Sequence, residues 1–214
     1  MNPTPSEAPV QLVFDGSFGA LVAAAVAETL DTAYETRLVA LSECADNPGA
    51  VMAAGRTTVL VTSRFDWRQV HAFDAASHRL SVPWCFVGYA YPYVFVGPHV
   101  VPDDGPCYLC LQVRLKQHGR TEVPLRGVDV PVRGDHVEGI PRHLAYTVAG
   151  LLSGLLEPTG RGRPRSVYLL HVNGLKVRAE ALTAVHDCPR CTRPASAGRG
   201  NAQLLRLYRD LWEK

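Results

Sequence analysis

Two Cys-x-x-Cys pairs, Cys107-Tyr108-Leu109-Cys110 and Cys188-Pro189-Arg190-Cys191, constrain this chain more than any other feature. Each pair presents two sulfurs from one turn. Two such turns supply the four thiolates of a closed tetrahedral zinc shell, with no position left for a reactive water. A Zn2+ ion held this way is structural. Residues 111–187 separate the pairs, a longer interval than in a zinc ribbon, so a shared site has to staple the middle of the chain to its C-terminal part. The competing readings are two disulfides, one redox pair beside a coincidental second, or free core thiols. His186, close to Cys188, is an alternative ligand.

The compartment weighs on that choice. Residues 1–9 are polar and carry prolines, without the basic and apolar regions of a signal peptide. The apolar runs stop well short of the roughly 18 residues that a membrane span needs. A soluble cytoplasmic protein is the expectation, and in that reducing compartment clustered cysteines bind metal or do chemistry more often than they form disulfides. A net charge of +2 gives no general pull toward nucleic acid or membrane. Cys44 and Cys85 stand alone, and Cys85, inside an apolar run, reads as a small core residue.

The pattern between residues 10 and 100 alternates buried strands with helices. Strands are expected at 11–14, 36–41 and 57–62, with helices at 20–30 and 67–78. Two further strands, 84–88 and 93–96, flank a tight return. This predicts a largely parallel sheet with helices on both faces. After Cys107 a helix runs to about Gln117, and residues 119–140 are irregular, broken by Pro124, Gly127, Pro131, Gly134 and Gly139. Pro141 opens a helix to about Glu157, with Leu144, Val148, Leu151, Leu152 and Leu155 at helical spacing. Residues 166–172 and 176–185 form paired strands around Asn173-Gly174. Leu204, Leu205, Tyr208, Leu211 and Trp212 mark one face of a terminal helix. The expected division is a flexible N-terminus at 1–9, one zinc-stapled α/β domain at 10–195, and the helix at 196–214.

Asp15-Gly16-Ser17-Phe18-Gly19 follows the first strand and opens a helix, the right context for a phosphate-cradling turn. Yet no full G-x-G-x-x-G is present, Phe18 would crowd a pyrophosphate and Asp15 would repel it. Glu43 and Asp46 are the acids nearest to a ribose position. A plain tight turn is the better reading. Arg161, Arg163 and Arg165 read as a solvated loop, with an acidic peptide as the alternative. His136 and His143, beside Asp135 and Glu138, read as surface residues, with an acid–base pair as the alternative. Tyr89, Tyr91, Tyr93 and Phe95 alternate as on one strand face and suit core or dimer packing.

The order βα-βα-β, then Phe95-Val-Gly97-Pro98, Gly105-Pro106-Cys107-x-x-Cys110, helix, irregular crossing, helix, hairpin and Cys188-x-x-Cys191 resembles the ThiF-like fold of ubiquitin-activating-enzyme relatives. It is most similar to the degenerate branch used in making ribosomal peptide antibiotics. Those proteins partner a YcaO-type cyclodehydratase and help convert Cys, Ser and Thr of a precursor peptide to azolines, the route to thiazole- and oxazole-modified peptides. The resemblance covers about residues 10–195. Active relatives carry D-x-D-x-V after the second strand and N-L-x-R-Q beyond it. Here residues 41–49 read LSECADNPG, and residues 119–140 lack the thiol many relatives place there. The resemblance therefore implies metal ligands at Cys107, Cys110, Cys188 and Cys191 and carries over no catalytic or nucleotide-binding residue.

The implied function is that of an accessory scaffold that binds the precursor peptide or docks the YcaO-type enzyme, non-catalytic alone. The alternative is an ATP-dependent adenylating enzyme acting on a peptide carboxylate, and a zinc-binding interaction module unrelated to peptide modification is a third. A homodimer is implied by the resemblance alone. Relatives often recognise the leader peptide with an N-terminal winged-helix domain. This chain starts directly at its first sheet strand, which leaves open whether it meets the leader itself or through a separate recognition protein.

Overall fold

The computed structural model describes residues 9–30, 34–63, 67–117, 142–156, 166–186 and 188–191. The expected irregular crossing at 119–140, the arginine run at 161–165, His136 with its neighbouring acids, and the terminal helix lie outside the described residues. In chain order the elements are β1 (Val10–Phe14), α1 (Gly16–Leu30), β2 (Thr36–Ala40), a short 3-10 turn (Leu41–Glu43), α2 (Pro48–Ala53), β3 (Thr57–Thr62), α3 (Trp67–Leu80), β4 (Trp84–Ala90), β5 (Tyr93–Val100), α4 (Tyr108–Gln117), α5 (Arg142–Leu156), β6 (Ser166–His171) and β7 (Lys176–Ala181).

The strands form one seven-stranded sheet in the order β2-β1-β3-β4-β5-β6-β7. β2, β1, β3 and β4 run parallel, while β5, β6 and β7 add to the edge antiparallel. The sheet is thus parallel in one half only. The reason is connection length. A parallel return needs a crossover of a dozen or more residues, and the Tyr91-Pro92 link between β4 and β5 leaves room only for a hairpin. β6 and β7 are joined the same way through residues 172–175. There Leu175, not Gly174, takes the positive φ of 47°, the pattern of a turn closed by a left-handed residue.

Central β3 is buried along its whole length, so its Val59, Leu60 and Val61 read as a continuous apolar run without alternation. Alternate residues feed two cores. On one side Val59, Val61, Val87, Val94 and Val96 meet Phe18, Val22 and Val26 of α1 and Leu144, Val148 and Leu152 of α5. On the other side Leu60, Trp84, Phe86 and Phe95 meet Met52 of α2, Val70 and Phe73 of α3 and Tyr108 and Leu111 of α4. Cys107, Cys110 and Cys188 belong to this second core. α1 forms here because its alanine-rich sequence has high helix propensity and Gly16, at φ 59°, turns the chain sharply out of β1.

The aromatic alternation at residues 89–95 is divided by the hairpin. Tyr89 is on β4 and packs with the α1 side, its ring 5.2 Å from that of Phe18. Tyr93 and Phe95 are on β5 and face the opposite core. The intervening turn changes strand, so the sequence spacing no longer tracks one face.

Candidate metal centre and the neighbouring switch point

Cys107 immediately precedes α4 and Cys110 occupies its first turn, the spacing that brings both thiols to the same end of the helix. Beyond β7 the chain turns back so that Cys188 and Cys191 meet them. The Cys188 N–H donates to the carbonyl of Val185, which shapes this second turn. The Sγ atoms of Cys107 and Cys110 are 3.8 Å apart, those of Cys107 and Cys188 3.7 Å, and those of Cys110 and Cys191 3.3 Å. All four sulfurs lie within 4.8 Å of one another.

These distances decide between the readings of the cysteines. A disulfide holds its sulfurs about 2.05 Å apart, and all four thiols are free. A tetrahedron with metal–sulfur bonds of about 2.3 Å has edges of about 3.8 Å. The cluster is close to that size, and it can hold a metal ion with little rearrangement. His186 is exposed and stands outside the group of four.

The surroundings suit bound thiolates. The backbone N–H of Val185 donates to the Cys110 sulfur at 3.3 Å. Burial, together with the neighbouring thiols and Asp74, pushes the Cys107 thiol up, and burial with the hydrogen bond to Cys110 pushes Cys191 up to about 12. Cys188 differs. Burial raises it, but the backbone N–H groups of Arg190 and Cys191 and the thiols of Cys191 and Cys110 outweigh that and bring it down to about 7. A divalent cation bound among them would supply the charge that takes the buried thiols to thiolates.

Two polar links hold the cysteine turns to the fold. Arg114 of α4 donates from Nη2 to the carbonyl of Ala184 at 3.0 Å and from Nε to that of Thr183 at 3.5 Å. Arg190, between the second pair of cysteines, donates from Nη1 to Oδ2 of Asp74 on α3. Asp74 is fully buried, and His78 one turn on has its Nε2 4.0 Å from Oδ1 of the same carboxylate. Asp74 and Arg190 were not among the residues read as candidates from the sequence. The available signal was an acid on the buried stripe of α3, between Val70, Phe73 and Ser77.

The parallel strands β1 and β3 lie side by side and their following connections leave in different directions, which makes their carboxyl ends the switch point where an open α/β sheet receives ligands. Here that crevice is tied across by the protein itself. The Ser63 N–H donates to Oδ1 of Asp15, the Ser63 hydroxyl donates to the Asp15 carbonyl at 2.7 Å, and the Gly19 N–H of α1 donates to the Ser63 hydroxyl at 3.2 Å. A first-turn amide that would serve a phosphate is thus directed at Ser63, and a carboxylate sits beside it. Glu43 and Asp46, beyond β2, are exposed, as is His143 on α5.

No protein-family model matches the sequence, and no curated protein matches it. Solved structures do match at the level of the fold. The heterocyclase TruD superposes with a TM-score of 0.52 and 18% identity, over 87% of this chain and 28% of the heterocyclase. E. coli MccB with succinimide gives a TM-score of 0.55 and 11% identity, over 88% of this chain and 67% of that one. The E. coli microcin synthetase McbBCD complex gives 0.54 and 11%, over 88% and 70%. The chain therefore spans little more than a quarter of the heterocyclase it matches. At these identities the likeness is one of fold, and the ThiF-like α/β architecture that the sequence resembles is the one the chain adopts.

Proposed function

We propose that the protein is an accessory scaffold in ribosomal peptide natural-product biosynthesis, which binds a precursor peptide or docks a YcaO-type cyclodehydratase for azoline formation. The observation that carries this reading is the fold shared with a heterocyclase and with a microcin synthetase complex, combined with a switch point closed by Asp15 and Ser63. A scaffold acts by positioning. Holding the peptide near the partner's active site turns a bimolecular encounter into an effectively intramolecular one. Cys107, Cys110, Cys188 and Cys191 hold a Zn2+ ion in this account. With four thiolates around it the ion joins α4 to the segment after β7 and takes no part in chemistry. No helix among the described residues is long and apolar enough to cross a membrane, in keeping with work in the cytoplasm on a soluble peptide, either as a single chain or as a homodimer.

The second reading is an ATP-dependent adenylating enzyme acting on a peptide carboxylate. The fold shared with E. coli MccB, solved also with ATP, favours it. Against it stand the Asp15 carboxylate at the head of α1 and the missing nucleotide segments after β2.

The test is reconstitution with a short precursor peptide and a YcaO-type enzyme encoded beside this protein. Mass spectrometry follows the loss of water that accompanies each azoline formed. The scaffold reading expects ring formation to be much faster when this protein is added. Equal rates with and without it would remove the reading.

A further inference from the structure

The pair formed by Arg190 and Asp74 joins the second cysteine turn to the middle of α3 across 116 positions of sequence. Asp74 is fully buried, with one carboxylate oxygen on Arg190 and the other without a hydrogen bond. An uncompensated carboxylate in such a place is costly. A divalent ion with four thiolates carries a net charge of −2. That dianion and the Asp74 carboxylate would share one side of the sheet, where Arg190, from between the second pair of cysteines, brings a cation onto Asp74.

We infer that Arg190 is a positioning residue of the metal centre, whose guanidinium neutralises Asp74 and offsets the charge of the thiolate-bound ion. The inference rests on the zinc reading above. It assigns a sign to each partner. Losing the Arg190 charge leaves two like charges in one core. Losing the Asp74 charge removes one of them while Asn keeps an oxygen for the guanidinium. A purely mechanical clamp has no such sign: once Arg190 is lost, removing the Asp74 charge as well would change nothing.

The experiment uses the zinc-loaded full chain and measures the rate at which metal passes to an excess of a coloured chelator. Circular dichroism confirms the fold of each variant, and the absorption bands of the cobalt-substituted protein report the ligand geometry. Arg190→Met should release metal about 10–100 times faster than the parent, the usual scale for losing an outer partner of a metal site. Asp74→Asn should release it no faster than the parent. The double variant Asp74→Asn/Arg190→Met should release it more slowly than Arg190→Met alone, with cobalt bands like the parent's. Arg190→Met within twofold of the parent, or a double variant no slower than the single one, overturns the inference. Should Arg190→Met fail to fold, Asp74→Asn decides alone, and faster release from it overturns the inference. Parent protein that takes up no zinc or cobalt overturns this inference and the zinc reading together. Uptake with equal release from all variants overturns only the role of Arg190.

Discussion

The sulfur of Cys107 lies 3.7 Å from that of Cys188, although 81 positions of sequence separate them. The hydrogen bond from the Val185 N–H to Cys110 and the two from Arg114 to the carbonyls of Thr183 and Ala184 bring the same two parts of the chain together. The two cysteine turns are therefore brought together by the protein's own contacts, and an ion bound there would close a junction already aligned.

Protein purified without added zinc should contain about one zinc per chain. Cys188→Ser removes one ligand from a buried shell, and it should cost more than about 3 kcal/mol of stability, since loss of a metal is among the large single-residue effects. For a chain of this size that is roughly 6–12 °C in Tm. Metal analysis and thermal unfolding check both. A variant of full stability and a parent free of metal would remove the staple.

Gly97, on β5, has φ 95°, and a Cβ there would meet the backbone oxygen of Ser166 at 2.8 Å. Backbone cannot swing aside as a side chain can. Gly97→Ala should therefore destabilise by about 2–4 kcal/mol, from strained φ and overpacking together. Gly150, on the exposed side of α5, is the control. A Cβ there meets nothing within 4 Å, and Gly150→Ala should stabilise by about 0.5–1 kcal/mol through helix propensity. Urea unfolding of the two variants gives the opposite signs if the packing of β5 against β6 is as described.

Burial lowers the pKa of His78, and the Arg190 charge adds to this against the pull of Asp74 and Asp103. The unfolded chain then binds a proton on this histidine at a higher pH than the native protein does. Stability is unaffected well above the unfolded value of about 6.5 and falls as pH drops through it toward the native pKa. His78→Gln removes this contribution. The difference in unfolding free energy between parent and variant should shift against the parent between about pH 7 and pH 5. A difference that stays constant over that range would contradict the assignment.

Much of this was legible in the sequence because it is local. β3 falls on the expected residues 57–62, and α3 and α4 lie within about a turn of theirs. Cys85, read as a core residue, is buried with its thiol pushed up to about 12 by desolvation. The four clustered cysteines were found from spacing alone. The rest was set by contacts that no local pattern reports. α2, at Pro48–Ala53, is too short for a helical periodicity to mark its bounds. The sheet turns antiparallel because of the Tyr91-Pro92 hairpin, which also divides the tyrosines between two cores. Asp74 meets Arg190 only after folding. The closure of the switch point depends on Ser63, at the far end of β3 from anything that marks a glycine turn.

As the scaffold proposed above, the protein would position a peptide and leave activation chemistry to a partner. ATP–pyrophosphate exchange by the intact, zinc-loaded protein, with candidate precursor peptides present and no partner enzyme added, separates this scaffold from an adenylating enzyme. No exchange above background is expected, because the Asp15 carboxylate stands at the head of α1 and the Gly19 N–H there already donates to the Ser63 hydroxyl. Robust exchange by the protein alone would contradict the scaffold reading and establish the adenylating reading in its place.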